Sequence, residues 1–307
     1  MEILDVTIVG GGPAGLSAAL VLGRCLRKVK LFDSGKPRNA AARIFNGYLS
    51  RDGSDPKEFL KVCREELKRY ETVEVSGGNV ISAAQEDCRF IVTLETGERI
   101  HSRLLLLASG LVDELPQLKG FKEFYGKTAH NCPYCDGWEH RGEPMVVAGG
   151  NQDAADLSIE LLLWSKDVVL CTDGELTCDQ KTRKQLERCG IRVLKQRIKA
   201  LEGDGDMLKG VRFTDGSFLA RSVLFFSPVQ RQRSTLAEQL GCRFSDDACI
   251  QCDEKAATCI PGLYAAGNAS RGVQLVVAAV AEGTLAAVAM NNELVEADAE
   301  SGSLRFA

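Results

Sequence analysis

The chain has 307 residues, more than one ordinary hydrophobic core accommodates, so its length predicts two domains. Hydrophobic residues make up 45% of the sequence and charged residues 26%, a balance typical of globular proteins. The net charge of -4 and the lack of a long Lys or Arg run argue against partners such as nucleic acid or an anionic membrane surface. We expect no membrane association, because no apolar stretch reaches the roughly 20 residues of a membrane span. The N-terminus is acidic where a signal peptide would be basic, which predicts a cytoplasmic protein.

The N-terminal segment predicts a βαβ unit. Residues 4–10 form an apolar strand, residues 13–24 an Ala-rich helix and residues 28–33 a second strand. A right-handed crossover of this kind implies a parallel sheet. An amphipathic helix is then expected over residues 55–70, with Pro in its first turn, and alternating strands follow over residues 79–108.

The pattern restarts near residue 144, as a weak internal repeat of the first unit. A strand, a helix, a strand, a helix and a strand are predicted in turn at residues 145–148, 154–164, 167–171, 179–189 and 191–194. A long Ala-rich helix is expected over residues 273–292. The polar tail from residue 296 is expected to be frayed.

A glycine-rich turn follows the first strand, with the sequence Gly10-Gly11-Gly12-Pro13-Ala14-Gly15. Gly10 permits the tight turn, Gly12 lets the backbone approach a pyrophosphate, and Gly15 lets the helix pack closely on the strand. The phosphate would lie at the helix N-terminus, where free N–H groups favour negative charge. Asp33, at the end of the second strand, is placed to accept hydrogen bonds from a ribose hydroxyl. Strand, turn, helix, strand and acid in this order favour a dinucleotide over a ligand-free turn.

The segment Cys132-Pro133-Tyr134-Cys135-Asp136-Gly137 indicates a redox dithiol. A Cys-x-x-Cys at a helix start lowers the thiol pKa, and the second cysteine can resolve a mixed disulfide formed by the first. A zinc half-site with His130 and His140, and an inert pair, are the alternatives. A four-thiolate metal site is a further, less favoured alternative for Cys242, Cys249, Cys252 and Cys259. We expect no metal.

These motifs, with the turn Ala108-Ser109-Gly110 and the segment 262–268, occur in the order seen in low-molecular-weight thioredoxin reductases. The chain resembles that family over nearly its whole length. The resemblance implies an α/β fold with two Rossmann-like domains of the three-layer ββα type, the second inserted in the first. The implied FAD-binding domain comprises residues 1–113 plus 245–307. The implied NAD(P)-binding-like domain comprises residues 114–244, with the dithiol at its start, and the family resemblance also implies a homodimer.

The resemblance further implies roles for single residues. Cys132 should face the exchange partner, Cys135 should face the flavin, and Asp136 should move a proton to or from the departing thiol. A fungal branch that oxidises small dithiols has His in place of Asp136, so the Asp favours the reductase pattern. Asn268 stands where the family has Asp, so altered FAD contacts are expected. The implied FAD site consists of Gly10, Gly12, Pro13, Ala14, Gly15, Asp33, Ser34, Arg38, Asn39, Asn46, Ala108, Ser109, Gly110, Gly267, Asn268, Val273 and Gln274.

The second nucleotide site departs from the family pattern Gly-x-Gly-x-x-Ala. Ala148 replaces its first glycine, and Asp153 adds a negative charge where a pyrophosphate would lie. Family members that use NADPH carry a basic cluster after the next strand, where this chain has Asp173 and Glu175. The sequence therefore disfavours NADPH, whereas Asp173 leaves NADH as an alternative.

Three interpretations of the inserted domain stay open. It binds NAD(P)H poorly, it is a vestigial scaffold with electrons coming from ferredoxin or going to oxygen, or it holds another nucleotide such as a second flavin. Residues 33–39 and 47–53 resemble a branch related to dithiol oxidases, although Asn46 stands where that branch often has His.

The function expected is an exchange of two electrons between FAD, the Cys132–Cys135 pair and a thioredoxin-like protein or a small dithiol or disulfide. The enzymatic alternatives are a small-molecule dithiol oxidase that uses oxygen and a conventional NAD(P)H-dependent thioredoxin reductase. The non-enzymatic alternative is a flavin redox sensor.

Overall fold

The computed structural model describes residues 3–270 and 272–304. Its strands, in chain order, are β1 (Ile3–Val9), β2 (Val29–Asp33), β3 (Val73–Gly77), β4 (Val80–Glu86), β5 (Arg89–Leu94), β6 (Arg99–Leu107), β7 (Leu111–Glu114), β8 (Ala129–His130), β9 (Met145–Ala148), β10 (Val168–Cys171), β11 (Arg192–Leu194), β12 (Ile198–Asp204), β13 (Met207–Phe213), β14 (Phe218–Ala220), β15 (Val223–Phe226), β16 (Val229–Gln232) and β17 (Leu263–Ala265). Its helices are α1 (Pro13–Arg24), α2 (Pro56–Leu67), α3 (Phe121–Phe124), α4 (Pro133–Asp136), α5 (Gln152–Glu160), α6 (Gln180–Arg188), α7 (Leu236–Gln239) and α8 (Val276–Glu300). Within the described ranges, no helix is long and apolar enough to span a bilayer.

The chain divides into two compact units. The first comprises residues 1–40, 55–113 and 230–307, and the second comprises residues 41–54 and 114–229. This division differs from the predicted domain boundaries at residues 41–54 and 230–244.

Two long-range hydrogen bonds accompany this difference. In the second unit, Asn46 of the segment 41–54 donates a hydrogen bond to the carbonyl of Cys135 at 2.8 Å. In the first unit, α7 packs on β4, and the side chain of Gln239 accepts a hydrogen bond from the N–H of Ala83 at 3.0 Å. Both interactions join segments that are far apart in sequence.

The first unit has a central sheet in the order β3-β2-β1-β6-β5-β4, with β17 also paired to β6. Strands β3, β2, β1, β6 and β17 are parallel, whereas β4, β5 and β6 form an antiparallel meander. One face of the sheet packs against α1, α2 and α8, and the other face packs against α7 and the segment around Ile250. This arrangement confirms the predicted Rossmann-like layering.

The second unit repeats the plan on a smaller scale. A parallel sheet in the order β11-β10-β9-β15-β8 packs against α5 and α6 on one face. An antiparallel sheet in the order β12-β13-β14 covers the other face together with α3. The α/β fold with two Rossmann-like units is therefore confirmed.

Local sequence explains where the first two helices begin. Pro13 and Pro56 occupy first helical positions, where the missing N–H costs no hydrogen bond. Asp55 caps α2, because its side chain accepts hydrogen bonds from the N–H groups of Lys57 and Glu58. The fully buried Leu31 of β2 packs in the layer between α1 and the sheet, where a leucine stabilises the fold by about 2 kcal/mol.

The predicted frayed tail is wrong for residues 296–300, because α8 continues to Glu300. The last part of that prediction, residues 305–307, lies outside the described residues. The acids of the last turns of α8 are held by partners elsewhere in the first unit. Asp298 forms ion pairs with Arg27 at 2.6 Å and with Arg103 at 2.7 Å, and Glu293 accepts a hydrogen bond from Tyr264. These pairs keep a polar segment helical.

Candidate active site

The turn after β1 joins two segments of the predicted cofactor site. Gly10 donates its N–H to the carbonyl of Phe32 at 2.9 Å. Its φ is +120°, and a Cβ at this position would lie 2.2 Å from the carbonyl oxygen of Ala108. Only glycine fits here. The turn 10–15 and the segment 108–110 therefore lie together at the carboxyl ends of the parallel strands.

Gly12 leaves open space at the N-terminus of α1. It is the N-cap of this helix, has no side-chain cap, and a Cβ built on it would meet no atom within 4 Å. By contrast, a Cβ on Gly15 would lie 1.9 Å from the carbonyl oxygen of Gly10, so the helix rests directly on the turn. Uncapped N–H groups facing open space suit the pyrophosphate of FAD, and Pro13 and Ala14 continue this first turn. These residues fit the cofactor.

Asp33 lies at the end of β2 and already has two partners. Its Oδ2 accepts a hydrogen bond from Arg64 Nη2 at 2.5 Å, and its Oδ1 accepts the N–H of Gly35 at 2.9 Å. A carboxylate has about four acceptor positions, so capacity for a ribose hydroxyl is left. Ser34 is exposed beside it. Arg64 was not anticipated from the sequence.

The segment at Gly267 and Asn268 lies against the same turn. A Cβ on Gly267 would lie 3.0 Å from the Cβ of Ala14, and its N–H donates to Glu282 Oε2 at 2.8 Å. Gly283 lets α8 approach closely, because a Cβ there would lie 2.0 Å from the carbonyl oxygen of Ala14. The turn that contains Asn268 is therefore held by a carboxylate of α8, through the N–H of Gly267.

Arg38 is engaged by a buried acid. Its Nε and Nη2 donate to the two oxygens of Asp113, both at 2.7 Å, and the Asp113 side chain is only 4% exposed. Gln230 also donates to Asp113, at 2.8 Å, and pairs with Gln274 through both amide groups. The guanidinium of Arg38 is thus committed to a bidentate ion pair, which fixes the segment that contains Asn39.

Asn46 lies in the second unit, beside the dithiol. Its Nδ2 donates to the carbonyl of Cys135 at 2.8 Å, and its Oδ1 accepts the N–H of Gly53 at 3.0 Å. The other predicted cofactor residues belong to the first unit. Asn46 thus supports the turn that carries Cys135, whereas its contact with FAD stays a prediction.

Cys132 and Cys135 form a disulfide. Cys132 precedes α4, and its carbonyl accepts the N–H groups of Cys135 and Asp136, both at 3.2 Å. Helix α4 has a single turn, so the helix dipole available to Cys132 is small. Pro133 between the cysteines is buried, which fixes the turn.

The exposed Tyr134 of the same turn contacts another part of the second unit. Its ring meets that of Trp164 edge-on at 6.1 Å between centroids. A hydrogen bond with Glu160 raises the pKa of the Tyr134 hydroxyl, because the carboxylate disfavours a phenolate. Trp138, in contrast, is exposed and lies under the guanidinium of Arg141. Trp164 was not identified from the sequence as a neighbour of the dithiol.

Asp136 has a buried histidine as its neighbour. His130 Nδ1 lies 3.2 Å from Asp136 Oδ1, and the His130 side chain is 6% exposed. His130 Nε2 lies 3.1 Å from His140 Nε2. Sequence spacing gave no indication of this contact, because His130 and His140 were considered together only as ligands of a zinc half-site.

Metal alternatives gain no support from the described parts of the chain. Among those residues, no group of three or more His, Cys, Asp and Glu side chains is arranged to hold a metal ion. Burial instead raises the pKa of the Cys242 thiol to about 11, as does the neighbouring Cys259. A neutral thiol is a poor metal ligand.

The second glycine turn is covered by its own chain. A Cβ on Gly150 would lie 2.7 Å from the carbonyl oxygen of Thr172 and 3.0 Å from that of Glu175. The carbonyl of Gly150 accepts the N–H of Thr177 at 2.7 Å, and the side chain of Asn151 caps α5 through the N–H of Ala154.

The predicted replacement of the first glycine by Ala148 is wrong, because Gly149 donates its N–H to the carbonyl of Cys171 at 3.0 Å as Gly10 does to Phe32, and it has a similar positive φ. Asn151, the N-cap of α5, is then the counterpart of Gly12, and its side chain lies where a pyrophosphate would approach.

The acids after β10 are paired. Asp173 Oδ1 accepts the N–H of Ile198 at 2.6 Å, and Asp173 Oδ2 lies 3.6 Å from Arg197. Glu175 forms an ion pair with Lys195 at 2.8 Å, in which both side chains are more than half exposed. The acids are therefore partly neutralised, so their repulsion of a 2′-phosphate is weaker than the sequence suggests.

A groove of about 640 Å³ lies beside the dithiol turn, at the carboxyl ends of β8 and β15. Helix α5 contributes three carboxylates to its wall, so the groove is acidic. Its lining residues are Asn131, Pro133, Asp153, Asp156, Leu157, Ile159, Glu160, Gln185 and Ser227. An acidic lining disfavours an anionic ligand such as a dinucleotide.

Known proteins resemble this chain over almost its full length. A family model described as pyridine nucleotide-disulphide oxidoreductase matches residues 4–283. Thioredoxin reductase sirT of Leptosphaeria maculans is 30% identical over 314 residues, which cover 97% of this chain and 96% of the relative. The putative thioredoxin reductase TrxB of Bacillus anthracis is 31% identical with a TM-score of 0.89, covering 96% and 99% of the two chains. The structure of HlmI is 38% identical with a TM-score of 0.94, covering 98% and 95%.

Two Rossmann-like units, a glycine-rich phosphate cradle and a redox disulfide define a flavin-linked disulfide oxidoreductase. The chain belongs to the pyridine nucleotide-disulphide oxidoreductase family. Within that family it is an FAD-dependent enzyme of the thioredoxin-reductase-like class.

Proposed function

We propose that this enzyme exchanges two electrons between FAD, the Cys132–Cys135 pair and a dithiol or disulfide substrate, and that NADPH is not its effective electron donor. The proposal has two parts. The first concerns the dithiol and its acid/base. The second concerns the second nucleotide site.

The contrast between the two helix N-termini that follow the glycine turns carries the second part. Gly12 and Asn151 are the N-caps of α1 and α5, and they occupy equivalent positions in the two turns. Gly12 has no side-chain cap and faces open space, whereas the side chain of Asn151 accepts the N–H of Ala154 at 3.2 Å. A pyrophosphate can therefore approach the N-terminus of α1 directly, whereas that of α5 is already capped by a side chain.

FAD, when bound at the first turn, supplies or accepts the electron pair. In the reducing direction, the Cys132 thiolate attacks the substrate disulfide, forms a mixed disulfide and releases one substrate thiolate. The Cys135 thiolate then attacks Cys132 Sγ, which restores the enzyme disulfide and releases the second substrate thiolate. Asp136 carries the proton that a departing thiolate requires. The oxidising direction runs through the same bonds in reverse.

The partner that we propose is a thioredoxin-like protein or a small dithiol or disulfide. Several relatives are named thioredoxin reductases, which supports the protein partner. These names equally support a conventional NAD(P)H-dependent reductase as the second candidate. The side-chain cap of Asn151 and the acidic groove favour the first candidate. The homodimer and the cytoplasmic location are retained as predictions.

Replacing Cys135 tests the first part of the proposal. The holoenzyme is mixed anaerobically with dithiothreitol, and flavin reduction is followed by its absorbance. We expect Cys135→Ser to slow this reduction at least about 100-fold, the lower range of what a positioned catalytic group contributes. Cys189→Ser is the matched control, because Cys189 is an exposed free thiol in the same unit and should have no effect. Unchanged kinetics in Cys135→Ser would refute the enzymatic role and favour a flavin sensor.

Flavin content tests the second unit. Extraction and quantification should give one FAD per chain, because the N-terminus of α1 is open whereas Asn151 caps that of α5. Two flavins per chain would show that the second unit binds a flavin as well.

A further inference from the structure

A line of hydrogen-bonding side chains leads away from Asp136. His130 Nδ1 lies 3.2 Å from Asp136 Oδ1, and His130 Nε2 lies 3.1 Å from His140 Nε2. His140 Nδ1 lies 3.3 Å from Glu143 Oε1, and Ser222 donates to Glu143 Oε2 at 2.7 Å. We refer to Asp136, His130, His140 and Glu143 as the histidine chain.

Exposure increases from His130 to Glu143, whereas the Asp136 side chain at the other end of the histidine chain is 23% exposed. The side chain of His130 is 6% exposed, that of His140 is 15% exposed and that of Glu143 is 39% exposed. The ring of Phe225, from β15, covers His130 at 5.7 Å between centroids. Glu143 is therefore the most exposed end of the histidine chain, where it can exchange protons with water.

The backbone carbonyl of Lys127 fixes the tautomers. It lies 3.0 Å from His130 Nε2, and a carbonyl can only accept, so Nε2 carries hydrogen. The same hydrogen is directed at His140 Nε2, which therefore accepts, and His140 Nδ1 then donates to Glu143 Oε1. When Asp136 has taken a proton from the dithiol, this proton lies between Asp136 Oδ1 and His130 Nδ1. Every contact in the histidine chain then contains one proton.

We propose that His130 and His140 form a proton relay that connects Asp136 with solvent at Glu143. The inference rests on the proposed function, in which Asp136 exchanges a proton with the dithiol. It makes His130 and His140 positioning residues that act through Asp136.

The transfer balances at each atom. When the dithiol is oxidised, Asp136 takes a thiol proton and passes it to His130 Nδ1. His130 releases the hydrogen on Nε2 to His140 Nε2, and His140 releases the hydrogen on Nδ1 to Glu143. One proton enters and one leaves. Both imidazoles remain neutral, and their hydrogens are now placed for transfer from Glu143 to Asp136. The opposite half-reaction, which requires protons, restores the first arrangement.

Substitution of His130 tests the relay. The rate of anaerobic flavin reduction by dithiothreitol is measured for the FAD-loaded enzyme in H₂O and in D₂O. We expect His130→Gln to slow reduction about tenfold or more and to change the solvent isotope effect, because the amide keeps a polar contact but transfers no proton. His101→Gln is the matched control, since His101 lies in β6 of the first unit and is the remaining histidine of the three.

Two further variants separate failure of the relay from failure of the proposed function. If Asp136→Asn reduces its flavin as fast as the wild type, the acid/base role in the proposed function fails. If Asp136→Asn is slow but His130→Gln is as fast as the wild type, the relay alone is overturned. The double variant should be no slower than Asp136→Asn, because His130 acts through Asp136. If the rate losses of the two single variants instead multiply in the double variant, His130 has a structural role that is independent of Asp136.

His140→Gln keeps the test decisive if His130→Gln does not fold. It leaves the His130–Asp136 pair intact and removes only the connection to Glu143. We expect about a tenfold loss with unchanged flavin content, and an unchanged rate would overturn the relay.

The pH profile provides a second readout. The titratable groups that face the two histidines are Asp136 from α4 and Glu143 from the following turn, while β15 contributes the apolar ring of Phe225. The rate of flavin reduction is measured between pH 6 and pH 9. The relay predicts that the pH profile of His130→Gln differs from that of the wild type, whereas the profile of His101→Gln matches it. Identical profiles in both variants would contradict it.

Discussion

The same substitution at Gly12 and Gly150, one glycine from each glycine-rich turn, should have opposite consequences. Gly12 has extended backbone, with φ -81° and ψ -176°, and a methyl group there would enter open space. Gly12→Ala should change stability by less than about 0.5 kcal/mol, as for other substitutions free of steric conflict. The methyl group would occupy the space of the pyrophosphate, so FAD affinity should fall. A loss of about 1.4 kcal/mol corresponds to a tenfold weaker Kd.

Gly150→Ala should instead destabilise the second unit. Its Cβ would lie 2.7 Å and 3.0 Å from two backbone carbonyl oxygens, which cannot rotate away as a side chain can. Overpacking of this kind costs about 1–3 kcal/mol. With a urea m-value of about 2 kcal/mol/M, the midpoint should fall by about 1 M. FAD affinity should not change.

Both quantities can be measured directly. Trp138 and Trp164, the two tryptophans of the chain, belong to the second unit, so their fluorescence follows its unfolding in urea. FAD affinity is measured by titration of the cofactor-depleted protein. If Gly150→Ala unfolds at the wild-type urea concentration, the segment 172–177 does not cover the second turn. If Gly12→Ala binds FAD normally, the assignment of the first turn is refuted.

Two further predictions concern the dithiol turn and the free thiols. Asn46→Asp keeps the acceptor for Gly53 but loses the hydrogen bond donated to Cys135, so the urea midpoint should fall by the equivalent of about 1 kcal/mol; an unchanged midpoint would show that this bond does not hold the turn. Burial raises the pKa of the Cys171 thiol to about 12, so only about one molecule in 10,000 carries its thiolate at pH 8. Because the thiolate is the reactive form, alkylation of Cys171 should be negligible at pH 8 and should increase as the pH rises, whereas the exposed Cys88 serves as the readily labelled control in peptide mass spectrometry; equal labelling at pH 8 would contradict this.

Much of the fold could be predicted because its patterns are local. The predicted strand at residues 4–10 and helix at 13–24 correspond to β1 and α1, since apolar periodicity and Pro13 act within a few residues. Helix α5 was predicted at 154–164 and spans Gln152–Glu160, followed by a short 3-10 helix. The sheet β12-β13-β14 was not predicted, because its partly exposed strands give a weak alternating pattern.

The missed features of the site depend on contacts between distant segments. The covering of Gly150 requires the segment 172–177, and the pairing of Arg38 requires Asp113. The neighbour of Asp136 is His130, six positions earlier and in a different element, a spacing that corresponds to no known motif. The sequence indicated which residue types could react, whereas the fold determined which of them meet.

The central claim is that the flavin exchanges electrons with the Cys132–Cys135 pair and that NADPH is not an effective electron donor. The most direct measurement mixes the FAD-loaded enzyme anaerobically with NADPH in one experiment and with dithiothreitol in another, and follows the flavin absorbance. We predict that dithiothreitol bleaches the flavin, and that NADPH at the same concentration does so at least about 100-fold more slowly, a difference of about 2.7 kcal/mol in activation free energy. Rapid bleaching by micromolar NADPH would contradict the claim and identify a conventional NADPH-dependent reductase.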